Sequence, residues 1–419
     1  MSKKQIMEQC ADENTANNML LSKNIAISLN SHHSKRNSNV LILGSAGSGK
    51  GYNYTIPNIL NAGYSFVVTD TSGSIYEQIH TVLEEKGYNI QILDIQHFNK
   101  SMHYNPLALL QQQYTDDYVR YEISRAKLIN IIMTSNNKEN SGDFLYESTK
   151  SAILRFAINY LMYVNSDKKE STFADLVDIL NRIAALISDQ NEYEDIEKEL
   201  GLSNESSKEK EICKNLRNFL TIERKSKQAA LTSCIIMLNP FIISQAADIL
   251  KKDNNDSNNI DFEKLNKEKS ALFIMTTPID YTFTSIAIML ISQLAGYCIT
   301  ERSTVTDIEY PHIQFYIDDF PFYIEGIGTL MATIRKYNIG ISLYAQSISQ
   351  LKVLYKHNYD LVVSNCDSIL YLHAGLDAAT AEYLTNKFGK QISIDSMTDE
   401  DCIVGIRGFE PVIDKKVKI

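Results

Sequence analysis

The run Gly44-Ser-Ala-Gly-Ser-Gly-Lys50 sets a lysine directly after a glycine-rich turn. Glycines there let successive backbone N–H groups point into one concavity, where a side chain would block the approach of a phosphate. The Gly-x-x-x-x-Gly-Lys spacing is that of a phosphate-binding loop: Gly44, Gly47, Ser48, Gly49, Lys50 and Gly51 form the cradle, and the Lys50 ammonium reaches the outer phosphates. The position after the lysine ordinarily carries a Ser or Thr hydroxyl for Mg²⁺, and Gly51 supplies none. A second group follows the apolar run Ile313–Ile317, where Asp318 and Asp319 stand side by side. Asp318 has the place of a carboxylate that holds Mg²⁺ through water, and Asp319 that of the group polarising an attacking water. The usual residue at the second place is Glu. The shorter Asp319 implies slower turnover, because hydrolysis depends on placement to within about an ångström. Gln346 ends the next apolar run and reads either as a polar strand-end residue making a loop hydrogen bond or as a sensor of the γ-phosphate or an orienter of water. Arg335 reads either as a cation complementing a helix C-terminus or as an arginine finger reaching a neighbouring subunit's site.

These side chains need strands to end on. Val40–Leu43 is a short apolar run that reads as a buried parallel strand, and a helix starts within Asn53–Leu60 with Pro57 in its opening turns. Tyr64–Thr69, Asn89–Leu93, Ala271–Thr276, Ile313–Ile317, Gly340–Ala345, Ser368–Leu372 and Cys402–Arg407 read as further strands. Helices are expected at Ile75–Lys86, capped by Ser74, and at Phe283–Ile299, Ile324–Lys336, Ser349–Lys356 and Ala378–Phe388. Such alternation means a mainly parallel sheet flanked by helices, an α/β fold. From about Thr115 to Lys264 the apolar spacing turns helical, as in Tyr118–Met133, Phe144–Val164, Phe173–Ile187 and Ala229–Leu250. The expected domains are a polar lead-in over 1–38, a nucleotide-binding domain of 39–112 and 265–419, and an all-α insert over 113–264.

The 419 residues carry a net charge of −10, which disfavours broad adhesion to nucleic acid while allowing a local basic channel. Six cysteines without a close pair argue against a zinc site or disulfide framework and for a reducing compartment. His103, His312, His357 and His373 lack metal-ligand spacing. Short basic patches such as Lys415–Lys418 read as solvated surface. No signal peptide is visible. Tyr281–Thr300 is long enough to span a bilayer, but its Thr, Ser and Gln residues and its place between two strands make it a core helix.

Four segments resemble the coupling ATPases of type IV secretion and conjugation systems, particularly those of Gram-positive mobile elements. They are Asn39–Lys50 with Pro57-Asn58; Tyr64–Asp70 with Tyr104-Asn-Pro106; Ile317–Phe320 continuing through Ala332–Arg335 to Gln346–Leu351; and Asn365-Cys-Asp367 with Cys402-Ile-Val and Arg407–Pro411. The resemblance covers roughly residues 22–419, and the third segment is the most specific. It implies a RecA-like P-loop motor domain with an all-helical insertion, assembled as a homo-oligomeric, usually hexameric, ring. It further implies binding of ATP and Mg²⁺, delivery of a relaxase joined to single-stranded DNA, or of protein cargo, to the channel subunits, and a place at the cytoplasmic face of the membrane. Some members also carry Gly after the P-loop lysine. Three departures stand out: no N-terminal membrane helices, which implies a truncation or a soluble variant; Asp70-Thr-Ser-Gly-Ser74 where the family tends to read Asp-Pro-Lys-Gly-Glu; and Asp319 for Glu. They keep open a rival reading, a weakly hydrolysing nucleotide-binding adaptor that recruits cargo through its helical domain. A small-molecule kinase would need an acceptor pocket and lid arginines, which nothing marks.

Overall fold

The computed structural model describes residues 3–135, 144–166, 170–187, 192–203, 206–277, 282–304, 310–318, 324, 326–373, 377–389 and 397–418. They form two compact units, one of Met1–Gln96, Asp261–Pro278 and Leu294–Ile419, the other of His97–Ile260 and Ile279–Gln293.

The first unit is organised by a sheet of nine strands: β3 (Val40–Leu43), β4 (Ser65–Asp70), β5 (Asn89–Asp94), β6 (Ser270–Met275), β7 (Ile313–Ile317), β8 (Ile339–Ala345), β9 (Ser368–Leu372), β10 (Asp401–Ile406) and β11 (Val412–Lys415). β1 (Asn18–Ser22) and β2 (Ile25–Ser28) pair separately as an antiparallel hairpin. The order in the large sheet is β11-β10-β9-β3-β8-β7-β4-β6-β5. From β9 to β5 every pairing is parallel. β10 runs antiparallel to β9, and β11 antiparallel to β10. All four residues of β3 are buried, since helices cover both faces of such a sheet, so the strand is a continuous apolar run rather than an alternating one.

The helix Ser74–Glu85 starts one residue earlier than its sequence pattern suggests. Ser74 is therefore its first residue, not its cap. Gly73 takes the cap position at φ +71°, and the Asp70 carboxylate accepts the Tyr76 N–H at 2.9 Å. Residues 1–38 hold the helix Lys3–Cys10 and the β1–β2 hairpin, whose Ile6, Met19, Leu21 and Ile27 share a core with Val40 and Ile42. The Asp414 carboxylate ties this region to β11: it accepts from Lys3 Nζ at 2.5 Å, Ser22 Oγ at 2.7 Å and the Asn24 N–H at 2.9 Å. Burial opposes its ionisation, but these bonds outweigh burial and hold its pKa at about 2.

The second unit is helical, with Pro106–Asp116, Tyr118–Ser135, Phe144–Val164, Phe173–Leu186, Ser207–Leu220 and Arg224–Ile242 as its longer members. Capping boxes start two of them, Thr172 with Asp175 and Ser206 with Glu209. Phe156, Leu180, Leu216, Phe219 and Leu238 are among its fully buried side chains. Thr284–Thr304 is the one helix among the described residues long and apolar enough to cross a membrane, and most of that stretch is buried in the protein. All six cysteines are buried and free.

Candidate functional site

At the end of β3 the Gly44 N–H donates to the Ala345 carbonyl at 3.0 Å, so the loop leaves the sheet at its carboxyl edge beside β8. That edge is where open parallel sheets take their ligands. A Cβ on Gly44 would collide with the Ser48 hydroxyl. Gly49 turns at φ +90°, and a Cβ there would strike the Asn53 side chain. Lys50 is 6% exposed; its Nζ donates to the Gly44 carbonyl at 3.1 Å and the Ser45 carbonyl at 3.4 Å, folding the ammonium over the loop. The Ser48 N–H is directed within the loop, to the Ser45 carbonyl at 3.1 Å. The Ser48 hydroxyl, 3% exposed as a residue, has no hydrogen-bond partner among the described residues.

The chain then winds as wide π-helical turns over Lys50–Thr55 before the α-helix Ile56–Asn61. Pro57 stands in the opening turn of that helix; it has no N–H to donate backwards, and its ring crowds the carbonyl four residues earlier. The wide turns set Thr55 against Lys50: the Thr55 hydroxyl lies 3.4 Å from the Lys50 carbonyl and 2.6 Å from the Tyr344 hydroxyl of β8. Burial, then Tyr54 and the Asp318 carboxylate, push the Tyr344 hydroxyl well above its ordinary pKa, so it stays a neutral phenol.

Asp318 directly follows β7. Its N–H donates to Thr69 Oγ1 of β4 at 2.8 Å, and the Thr69 hydroxyl donates back to the Asp318 carbonyl at 3.0 Å. β3 and β7 flank β8, so the loop that carries Lys50 and the residue Asp318 leave the sheet at one edge, from strand ends two strand spacings, about 10 Å, apart. Gln346 follows β8 at the same edge, between them, with its N–H on Gln350 Oε1 at 2.7 Å. Arg335 is not brought to this cleft. It lies in the 3₁₀ turn Ile334–Tyr337 before β8, at the amino edge of the sheet, and its Nη2 donates to the Ser31 carbonyl at 3.0 Å. Asp319 lies outside the described residues.

A nucleoside polyphosphate with a divalent cation fits these residues. The glycines hold open a cradle that a Cβ would close at two points, a buried hydroxyl stands unpartnered in it, and a carboxylate follows two strands away. The cation would lack a hydroxyl from position 51, and the nearby Thr55 hydroxyl is engaged with Tyr344.

Residues 3–416 match the family described as "Type IV secretory system Conjugative DNA transfer". The chain belongs to this family. The four sequence segments point to the same conjugation systems. No curated protein matches the sequence. Among solved structures, the unbound monoclinic form of the bacterial conjugative coupling protein TrwBdeltaN70 aligns with a TM-score of 0.62 at 13% identity, covering 100% of this chain and 92% of that one. The plasmid coupling protein TrwB in complex with the ATP analogue ADPNP gives 0.64 at 13%, covering 99% and 92%. VirB4 of Thermoanaerobacter pseudethanolicus gives 0.54 at 10%, covering 97% and 98%. At such identities the likeness is one of fold: a RecA-like P-loop ATPase fold with a mainly parallel sheet and a helical region.

Thr55, Thr69 and Tyr344 stand outside the sequence motifs, and Lys416 belongs to a short basic patch that reads as solvated surface. Instead Lys416 is buried against the phosphate loop. Thr69 carried a signal, as the polar end of an apolar strand; the other three carried none that could be read without the strand order.

Proposed function

We propose that this chain is a coupling protein that binds ATP with Mg²⁺ at the carboxyl edge of its sheet and uses hydrolysis to deliver relaxase-bound single-stranded DNA or protein cargo to the secretion channel, acting at the cytoplasmic face of the membrane. One observation carries the reading: the loop that bears Lys50 follows β3 and Asp318 follows β7, the two parallel neighbours of β8, so both come off one edge of the sheet. The TrwB complexes with ADPNP and with ADP and Mg²⁺ support the same ligands here. MgATP, when bound, supplies the free energy of phosphoryl transfer to water. Lys50 and the loop amides hold phosphate charge, Asp318 holds the metal, Asp319 orients water and Gln346 answers to the outer phosphate. Arg335, away from its own cleft, serves the next protomer of a hexameric ring. The domain division follows the same logic, with a helical insert over 113–264 interrupting the motor domain of 39–112 and 265–419.

The absent hydroxyl at Gly51 favours a second reading, an adaptor with weak turnover. ATP hydrolysis by the full chain, with and without single-stranded DNA, separates the two. A motor is stimulated by DNA, and an adaptor hydrolyses little in either condition. In both, Lys50→Ala abolishes nucleotide binding while circular dichroism stays unchanged; undiminished hydrolysis in that variant removes the site.

A further inference from the structure

We propose that Lys416 is a second lysine of the phosphate site, a positioning residue that acts from behind the loop. The inference rests on the nucleotide reading above and extends it to a residue outside the motif.

After β11 the chain crosses the back of the loop. The Lys416 N–H donates to the Glu400 carbonyl at 2.8 Å, and the Asn53 side chain donates to the Val417 carbonyl at 2.7 Å. Its neighbours in sequence face outward as ion pairs, Lys415 with Asp401 at 2.7 Å and Lys418 with Glu400 at 2.5 Å. Lys416 does the opposite. It is 6% exposed, and its ammonium donates to the Ser48 carbonyl at 2.8 Å and the His373 carbonyl at 3.3 Å. Both groups are neutral, and no carboxylate stands within ion-pair distance among the described residues. Burial accordingly lowers its pKa. A buried cation paired only with carbonyls is costly in isolation. An anion seated across the loop would offset that cost.

The contact is placed to act on the phosphate side. The Ser48 carbonyl and the Gly49 N–H belong to one planar peptide and point in opposite directions. A cation on the carbonyl fixes that plane, turns the Gly49 N–H towards the cradle and polarises it as a donor. Gly49 is the residue held at φ +90°, and Asn53, packed against it, also holds Val417. The tail segment thus grips the loop on both sides of its tightest turn. The ligand chemistry is that of a di- or triphosphate, independent of the base.

The test is equilibrium binding of MgADP and of inorganic pyrophosphate with Mg²⁺ to the full chain, for the parent, Lys416→Met, Lys416→Gln, Lys416→Arg and Lys50→Ala. Loss of a charged hydrogen bond predicts that Lys416→Met weakens both ligands about tenfold or more, by similar factors. Lys416→Gln, which keeps a donor without the charge, weakens them comparably and serves if the Met variant fails to fold. Lys416→Arg recovers most of the affinity. Met and Gln variants that bind within about twofold of the parent, while Lys50→Ala does not bind, overturn the role of Lys416 and leave the nucleotide site standing. A parent that binds neither ligand removes both.

Discussion

The Thr69 hydroxyl is the smallest group on which the proposed chemistry depends. It takes the Asp318 N–H and gives its own proton to the Asp318 carbonyl, so it fixes the backbone of the residue proposed to hold the metal. Thr69→Val keeps the shape of the strand and removes both bonds. The expected outcome is an intact fold, a higher Mg²⁺ concentration for half-maximal hydrolysis and turnover lowered about tenfold. A Mg²⁺ titration checks it, and a curve that overlays the parent's would show that Asp318 needs no such clamp. Lys50, Asp318 and the glycines were legible as candidates because each belongs to a contiguous segment whose spacing is that of the proposed chemistry. Tyr344 and Lys416 were not, since their partners Thr55 and Ser48 lie 289 and 368 residues away in sequence. Only the strand order brings them together.

At the scale of elements, β3, β7 and β9 match their expected ranges because buried parallel strands are short apolar runs between turns. Arg335 precedes a strand, and in a parallel sheet such a residue lies at the edge away from the ligands. That amino edge has its own titratable group. His312 precedes β7 and bridges to the turn before β8, with Nδ1 3.0 Å from Asn338 Oδ1 and Nε2 2.9 Å from Gln314 Oε1. Burial lowers its pKa to about 4, and nearby Arg302 adds to the effect while the two hydrogen bonds oppose it. The unfolded chain therefore binds the extra proton between about pH 6.5 and pH 4. The contribution of a neutral His312 is fully present above pH 6.5 and is lost as pH falls through that window, by about 3 kcal/mol in all. Urea unfolding at pH 7 and pH 4.5 measures it. In His312→Gln the difference between the two pH values should shrink by about 2 kcal/mol, and an unchanged difference would assign the pH dependence to other groups.

The whole molecule is two compact units that share one chain, with the helix Thr284–Thr304 contributing its first turns to the helical unit and the rest to the sheet unit. Each has its own buried apolar side chains, Val40, Phe66, Val68 and Phe273 in one and Phe156, Leu180, Phe219 and Leu238 in the other. Every residue proposed to hold phosphate or metal lies in the first unit. A ligand stabilises only the structure that binds it, by about 2.7 kcal/mol at a free concentration one hundred times its dissociation constant. Calorimetry of the full chain should therefore resolve two unfolding transitions, of which MgADP raises one and leaves the other in place. For a unit of this size such a shift amounts to a few degrees, on the order of 5 °C. Lys50→Ala should keep both transitions and lose the shift. Two transitions that both rise with MgADP would mean that the helical unit also senses the nucleotide bound at the sheet edge.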